Sequence, residues 1–163
     1  MAQILSSGKI FGIGIGAQLH DFEQAIGFDH VDDVQGRQGR RLMRRDYGLL
    51  EVTFDGEPGW KCRWISVEVH RFSRSIGLIE EVRELTGVDF SQYTPWADVQ
   101  REFERLVPCV SIQPPIIQGG HQEFHLRDLG VTVQVVHDRK YMRGDFPGFG
   151  DIWSIGLSLP VGK

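Results

Sequence analysis

Arg45-Asp46-Tyr47-Gly48-Leu49-Leu50-Glu51-Val52-Thr53-Phe54 and Arg127-Asp128-Leu129-Gly130-Val131-Thr132-Val133-Gln134-Val135-Val136 carry one turn signature, Arg-Asp-x-Gly, ahead of a strand-like run. A second signature follows each of them in the same order. In the first half it is Pro58-Gly59-Trp60, then Trp64 and Ile65-Ser66-Val67-Glu68-Val69; in the second it is Pro147-Gly148-Phe149, then Trp153 and Ile155-Gly156-Leu157-Ser158-Leu159. Two signatures recurring in order define an internal repeat. The period-2 alternation of Val133/Val135, Ile65/Val67/Val69 and Ile155/Leu157/Leu159 predicts strands with one apolar and one wet face, which is the habit of antiparallel sheets.

Working outward, each half opens on a helical pattern. Leu19, Phe22 and Ile26 fall three and four apart, with Gly27 as the stop; Thr94 caps a second helix whose first turn takes Pro95, with Trp96, Val99, Phe103 and Leu106 on one stripe and Pro108 as breaker. Between the halves, Ile79, Val82 and Leu85 mark a connector helix ending at Gly87. Each module reads helix, strand, strand, loop, strand. The expected fold is therefore α+β: two tandem helix-plus-antiparallel-sheet repeats forming one sheet with helices on one face. A single domain spans 1–163, with repeat one at about 10–71, the connector at about 72–90 and repeat two at about 91–160. Matching the Arg-Asp-x-Gly turns leaves Leu50/Val52/Phe54 one residue out of phase with Val131/Val133/Val135, which calls for a bulge or a differently counted turn unless the repeat is accidental.

The 163 residues, 40% hydrophobic and 25% charged with ten Phe, suffice for a core without disulfides or a structural metal. No apolar run approaches a membrane span and no secretory signal opens the chain, so a cytoplasmic protein without a membrane partner is expected. Cys62 and Cys109 stand far apart and read as reduced thiols. A formal net charge of -4 argues against a general nucleic-acid binder.

Several motifs are weighed and set aside. Gly12-x-Gly14-x-x-Ala17, with Asp32 and Asp33 downstream, lacks the apolar strands that a dinucleotide fingerprint requires. Arg37, Arg40, Arg41, Arg44 and Arg45 could grip phosphate, yet Asp29, Asp32, Asp33 and Asp46 flank them, and an exposed charged strand is favoured. Cys62 sits between Lys61 and Arg63, where a thiol could be activated, but no partner His or Asp can be assigned. His121, Glu123 and His125 alternate onto one strand face and could bind a metal, though no fourth ligand can be named. No catalytic residues, cofactor or metal are therefore expected.

Ile13-Gly14-Ile15-Gly16, a helix closing with Ala25-Ile26-Gly27, a basic strand, Tyr47-Gly48 and two more strands together resemble the tandem repeat of the beta-lactamase inhibitory protein and small outer-membrane lipoprotein A class. The ending Pro147-Gly148-Phe149-Gly150-Asp151-Ile152-Trp153-Ser154-Ile155 resembles actinobacterial immunity proteins of polymorphic toxins. The resemblance implies a non-enzymatic inhibitor that occludes one cognate protein, a bacterial toxin domain. With no signal peptide or cysteine framework expected here, the chain departs from the secreted inhibitors, and a cytoplasmic rather than an extracellular role is expected.

The residues themselves suggest where such a partner would bind. Trp64 and Trp153, beside alternating strands, are assigned to the core. The second repeat places sixteen residues between Gly130 and Pro147 where the first places nine between Gly48 and Pro58, and the excess holds aromatics interleaved with charge. The expected contact surface joins both loops at one end of the sheet, with Trp60, Tyr141, Phe146 and Phe149 as apolar anchors and Asp55, Glu57, Arg143 and Asp145 as polar partners. The competing site is a sheet face bearing Arg41, Arg45, His121 and Glu123, and the alternative function is a metal- or small-ligand-binding enzyme using the His121/Glu123/His125 face.

Overall fold

The computed structural model describes residues 1–27, 29–37, 40–56, 59–86 and 90–160. Among the described residues, eight antiparallel strands form one open sheet, in the spatial order Val31–Arg37, Arg40–Asp46, Leu50–Asp55, Lys61–Val67, Ile152–Leu157, Val131–Val136, His121–Leu126, Ile116–Gln118. Repeat one supplies α2 (Leu19–Ala25), β1 (Val31–Arg37), β2 (Arg40–Asp46), β3 (Leu50–Asp55) and β4 (Lys61–Val67). Repeat two supplies α4 (Trp96–Leu106), β5 (Ile116–Gln118), β6 (His121–Leu126), β7 (Val131–Val136) and β8 (Ile152–Leu157). Helix α1 (Ala2–Ser7) precedes the repeats, and a 3-10 turn (Val69–Ser73) with α3 (Ile76–Thr86) connects them. The sequence pattern anticipated three strands per module; β1 and β5 are additional edge strands, exposed along their length and so without an alternating signal. The Gly87 stop and the Leu85 side chain lie outside the described residues.

Paired residues on neighbouring strands share a face. Leu50, Val52 and Phe54 of β3, Ile65 and Val67 of β4, Val131, Val133 and Val135 of β7, and Ile155 and Leu157 of β8 are all buried on the face that the helices cover. Phe22 of α2 meets Phe54 edge to face at 5.2 Å, and Trp96 of α4 meets Phe124 at 5.1 Å. Burying a Phe, Leu or Val side chain stabilises by roughly 1.5–3 kcal/mol each, so this face holds the fold together. Two expected core positions fall outside it: Leu106 and Leu159 are exposed, the latter beyond the end of β8. Thr94 is not the cap of α4. Pro95 takes that position, and the Thr94 carbonyl accepts a 2.8 Å bond from the Ile152 N–H.

The repeat extends to fine detail. The cap residue of each helix bridges the start of that repeat's last strand, Gln18 to Lys61 and Pro95 to Asp151. Both inner hairpins carry a bulge at the same place, skipping Arg63 opposite Thr53/Phe54 and Trp153 opposite Gln134/Val135. The phase misfit comes from the turns. In repeat one, Tyr47 N–H donates to the Leu50 carbonyl at 2.8 Å around Gly48 and Leu49. In repeat two, the paired Leu126 and Val131 enclose four residues, a 3-10 turn (Arg127–Leu129) and Gly130 in the left-handed region at φ 65°. Aligned on their closing pairs, β3 and β7 are in phase.

Candidate functional site

The centre of the sheet sets the geography. β4 and β8 pair antiparallel through Ile65↔Leu157, Ser66↔Gly156 and Val67↔Ile155, so the repeats are related by a pseudo-two-fold axis through Ser66 and Gly156. The β3–β4 turn consequently lies at the end where β8 finishes, and the β7–β8 loop at the end where β4 finishes. The expected single contact surface is therefore corrected: Asp55 and Trp60 sit at one end, and Tyr141, Arg143, Asp145, Phe146 and Phe149 at the other. Glu57 lies outside the described residues. Asp55 pairs with Arg63 at 3.1 Å, and Trp60 is partly buried, its carbonyl bonded to the Leu19 N–H at the start of α2.

The β7–β8 loop, residues 137–151, is pinned from inside. Asp151, almost fully buried, accepts bonds from Arg143 Nε at 2.8 Å, Arg143 Nη2 at 2.7 Å and the Gly148 N–H at 3.0 Å. These bonds to Asp151 raise the Arg143 pKa above its ordinary value. A Cβ on Gly148 would stand 2.8 Å from the Arg143 backbone nitrogen, so the loop can fold back this closely only with glycine there. The Ser73 hydroxyl lies 2.9 Å from the Asp145 carbonyl, and the Tyr93 hydroxyl donates to the Gly144 carbonyl at 2.6 Å. On this frame Tyr141, Met142, Phe146 and Phe149 remain 51%, 82%, 40% and 49% exposed. Arg143 and Asp145 thus act partly as framework, Arg143 through its side chain and Asp145 through its backbone.

Phe146 leads onto the sheet face opposite the helices. It stacks at 6.0 Å from Trp153, which stacks in turn on His70 at 4.3 Å and meets His121 edge-on at 5.1 Å. The core assignment of both tryptophans is overturned. Trp64 falls between the inward-facing Cys62 and Ile65 on the other pleat and is 38% exposed; Trp153 is the bulged residue of β8 and joins the same face. The Trp64 indole occupies the space where a Cβ on Gly156 would be, only 2.2 Å from its nearest ring atom, so glycine at 156 seats the ring. Trp64, Trp153, Glu68, Glu123, His125 and Gln134 line an open groove of about 550 Å³ here, floored by small residues such as Ser66, Ser154 and Gly156. These residues were individually visible in the sequence; their convergence depends on the pairing of β4 with β8, which no local pattern encodes.

His121, Glu123 and His125 do share this face. His125 Nε2 lies 2.8 Å from a Glu123 oxygen, while His121 turns to Trp153. Among the described residues no group of three or more His, Cys, Asp or Glu is arranged to hold a metal. Arg45 does not face this groove. It lies on the helix side, gripped by Asp32 at 2.7 and 2.8 Å and by Glu23 of α2 at 3.0 Å, a pairing that raises its pKa. Arg41, opposite Gly36, lies on that same side of the sheet. Cys62 is buried, and desolvation pushes its thiol up to about 12, which makes it inert. Phe11 and Gly12, both at positive φ, form a two-residue turn between the bridged Ile10 and Ile13, at the start of the stretch that mimics a dinucleotide fingerprint.

No family model, curated protein or solved structure matches this chain. Among the described residues, no helix is long and apolar enough to cross a membrane.

Proposed function

We propose that this protein is a non-enzymatic protein-binding inhibitor, an immunity protein that neutralises a cognate toxin domain by occluding it. The observation that carries the reading is the β7–β8 loop: four large apolar side chains held out to solvent on a backbone fixed by a buried carboxylate. Exposed apolar groups cost solubility unless a partner covers them, and aromatic anchors on a rigid loop lose little conformational entropy when they bind. Phe146 and Trp153 continue this surface from the loop into the sheet groove, so one partner could engage both. The contact surface is accordingly the β7–β8 loop with the open sheet face, and Asp55 and Trp60 at the far end stand outside it.

The test is binding of the purified protein to the toxin domain encoded beside its own gene, measured by calorimetry, together with protection of growth when the two are co-expressed. Tight binding that falls at least about thirtyfold in Tyr141→Ala and in Phe146→Ala, with both variants folded, supports the proposal. A neighbouring gene that encodes no such domain, or two folded variants that bind within about twofold of wild type, overturns it.

A further inference from the structure

The groove on the open sheet face has a charge character of its own. Glu68 follows β4 in the alternation Trp64, Ser66, Glu68; one residue beyond the Val67↔Ile155 pair, it comes level with Ser154, whose row runs through Gln134 to Glu123. Two carboxylates thus stand at the ends of one row, three strand spacings or roughly 14 Å apart. Among the described residues, no lysine or arginine lines the groove. The nearby Arg71 is engaged by Asp46 at 2.7 Å and by Glu51. Among the described residues, Glu123 is in direct contact with His125 and Gln134, and Glu68 with the Ser66 hydroxyl and with His70, whose Nδ1 lies 3.4 Å away; Arg71 acts on Glu68 through its charge, without an ion pair. Burial holds the His70 pKa below its ordinary value, so at neutral pH it brings no positive charge to Glu68. One row along, at the level of Ser66 and Gly156, the Trp64 indole lies over Gly156 and is 38% exposed.

Largely buried carboxylates that no lysine or arginine pairs with directly among the described residues, beside a partly exposed indole, make a receptor for a planar cation. A guanidinium stacks on the ring, donates in a fork to a carboxylate, and is more weakly hydrated than an ammonium. We infer that the groove receives an extended basic segment of the partner protein, in which one arginine lies over Trp64 and pairs with Glu68 while a second basic residue reaches Glu123. In an extended chain, residues i and i+4 are roughly 13 Å apart, close to the separation of the two carboxylates, so the favoured pattern is Arg-x-x-x-Arg. This inference rests on the protein-binding reading above and specifies the chemistry of what is bound.

The experiment titrates the full-length protein with the peptide Gly-Arg-Ala-Ala-Ala-Arg-Gly and with its double citrulline counterpart, which keeps the shape and removes the charge. Binding is followed by the indole N–H resonances of Trp64 and Trp153. Saturable shifts with the arginine peptide, at least about tenfold weaker with citrulline and about tenfold weaker in each of Glu68→Gln and Glu123→Gln, support the inference. Asp98→Asn, an exposed acid on α4, serves as the control and leaves the affinity unchanged. Equal response to both peptides, or carboxamide variants no weaker than Asp98→Asn, overturns it. The two readings fail separately. A toxin that binds through Tyr141 and Phe146 but ignores both carboxamide variants refutes the groove assignment alone, whereas carboxylate-dependent peptide binding in a protein with no toxin partner upholds it.

Discussion

The two repeats are the same frame with different passengers. Each has a helix cap bridged to its last strand, a bulge at one place in its inner hairpin, and the same alternation on the buried face. At the bulge, repeat one has Arg63, paired with Asp55, and repeat two has Trp153, stacked on His70. Where repeat one begins its last strand with Lys61, repeat two has the buried Asp151 at the corresponding bridge. Five residues (56–60) join β3 to β4, and fifteen (137–151) join β7 to β8. The symmetric positions build the sheet, and the asymmetric ones gather at one end of it. The repeated frame supplies the scaffold, and the exposed loop anchors are concentrated on a single copy.

The largest expected contrast lies in the paired turn glycines. Both Gly48 and Gly130 sit at positive φ, 83° and 65°. A Cβ at Gly48 meets open space, whereas one at Gly130 would stand 2.2 Å from the Ser158 carbonyl oxygen and 2.9 Å from the Pro160 nitrogen, both backbone atoms. Gly48→Ala should cost only the left-handed penalty, about 1–2 kcal/mol. Gly130→Ala adds an overlap that no side-chain rotation relieves and should cost at least about 3 kcal/mol. Urea denaturation of the two variants measures the gap; equal costs would mean that the turns are not built as differently as described.

The second contrast is between the two loops. In the binding assay, Tyr141→Ala and Phe146→Ala should each lose about 2 kcal/mol or more of affinity, while Trp60→Ala stays within about twofold. An equal loss for Trp60 would require a partner that reaches both ends of the sheet. A third contrast concerns the bridge positions. Asp151→Asn weakens the charge-assisted bonds to Arg143 and should destabilise by about 1.5–2 kcal/mol, with new protease cleavage between 137 and 151. Lys61→Gln, on the exposed counterpart, should change stability by less than about 0.5 kcal/mol. Resistance of the Asp151 variant to proteolysis would show that the bonds from Ser73 and Tyr93 hold the loop without the carboxylate.

The α+β repeat was legible because alternation and turn chemistry are local properties, and β3, β4, β7 and β8 carry both. What escaped was non-local. Trp64 reads as core by its chemistry, and only the pleat opposite Ile65 and Val67 turns it outward. Arg45 reads as part of an exposed charged strand, yet it is buried beneath α2, where Asp32 and Glu23 neutralise it. β1 and β5 border solvent, so no apolar period marks them. The two loops were placed together because tandem copies suggest translation, whereas the antiparallel β4–β8 pair imposes a two-fold rotation that sends corresponding loops to opposite ends.

The smallest expected effect separates the two carboxylates that face opposite sides of the sheet. The hydrogen bonds from Arg45 hold the Asp32 pKa below its ordinary value. Its contribution to stability is therefore complete above the ordinary aspartate pKa of about 3.9 and is lost as pH falls through the lower folded value. Burial pushes Glu68 the other way, raising its pKa. Its stabilising contribution is present below the ordinary glutamate pKa of about 4.3 and is lost as pH rises through the folded value, so at neutral pH the ionised Glu68 is a liability to the free protein. Glu68→Gln should accordingly raise the urea midpoint slightly at pH 7, by less than any change expected above, and the gain should vanish in acid. Asp32→Asn should lower the midpoint at pH 7 and likewise converge with wild type in acid. The same Glu68→Gln substitution is expected to weaken arginine-peptide binding, so stability and binding move in opposite directions at one residue, as expected of a group kept for a partner rather than for the fold. A Glu68→Gln protein less stable than wild type at pH 7 would make the carboxylate part of the framework and leave the function-bearing groups still more concentrated in repeat two.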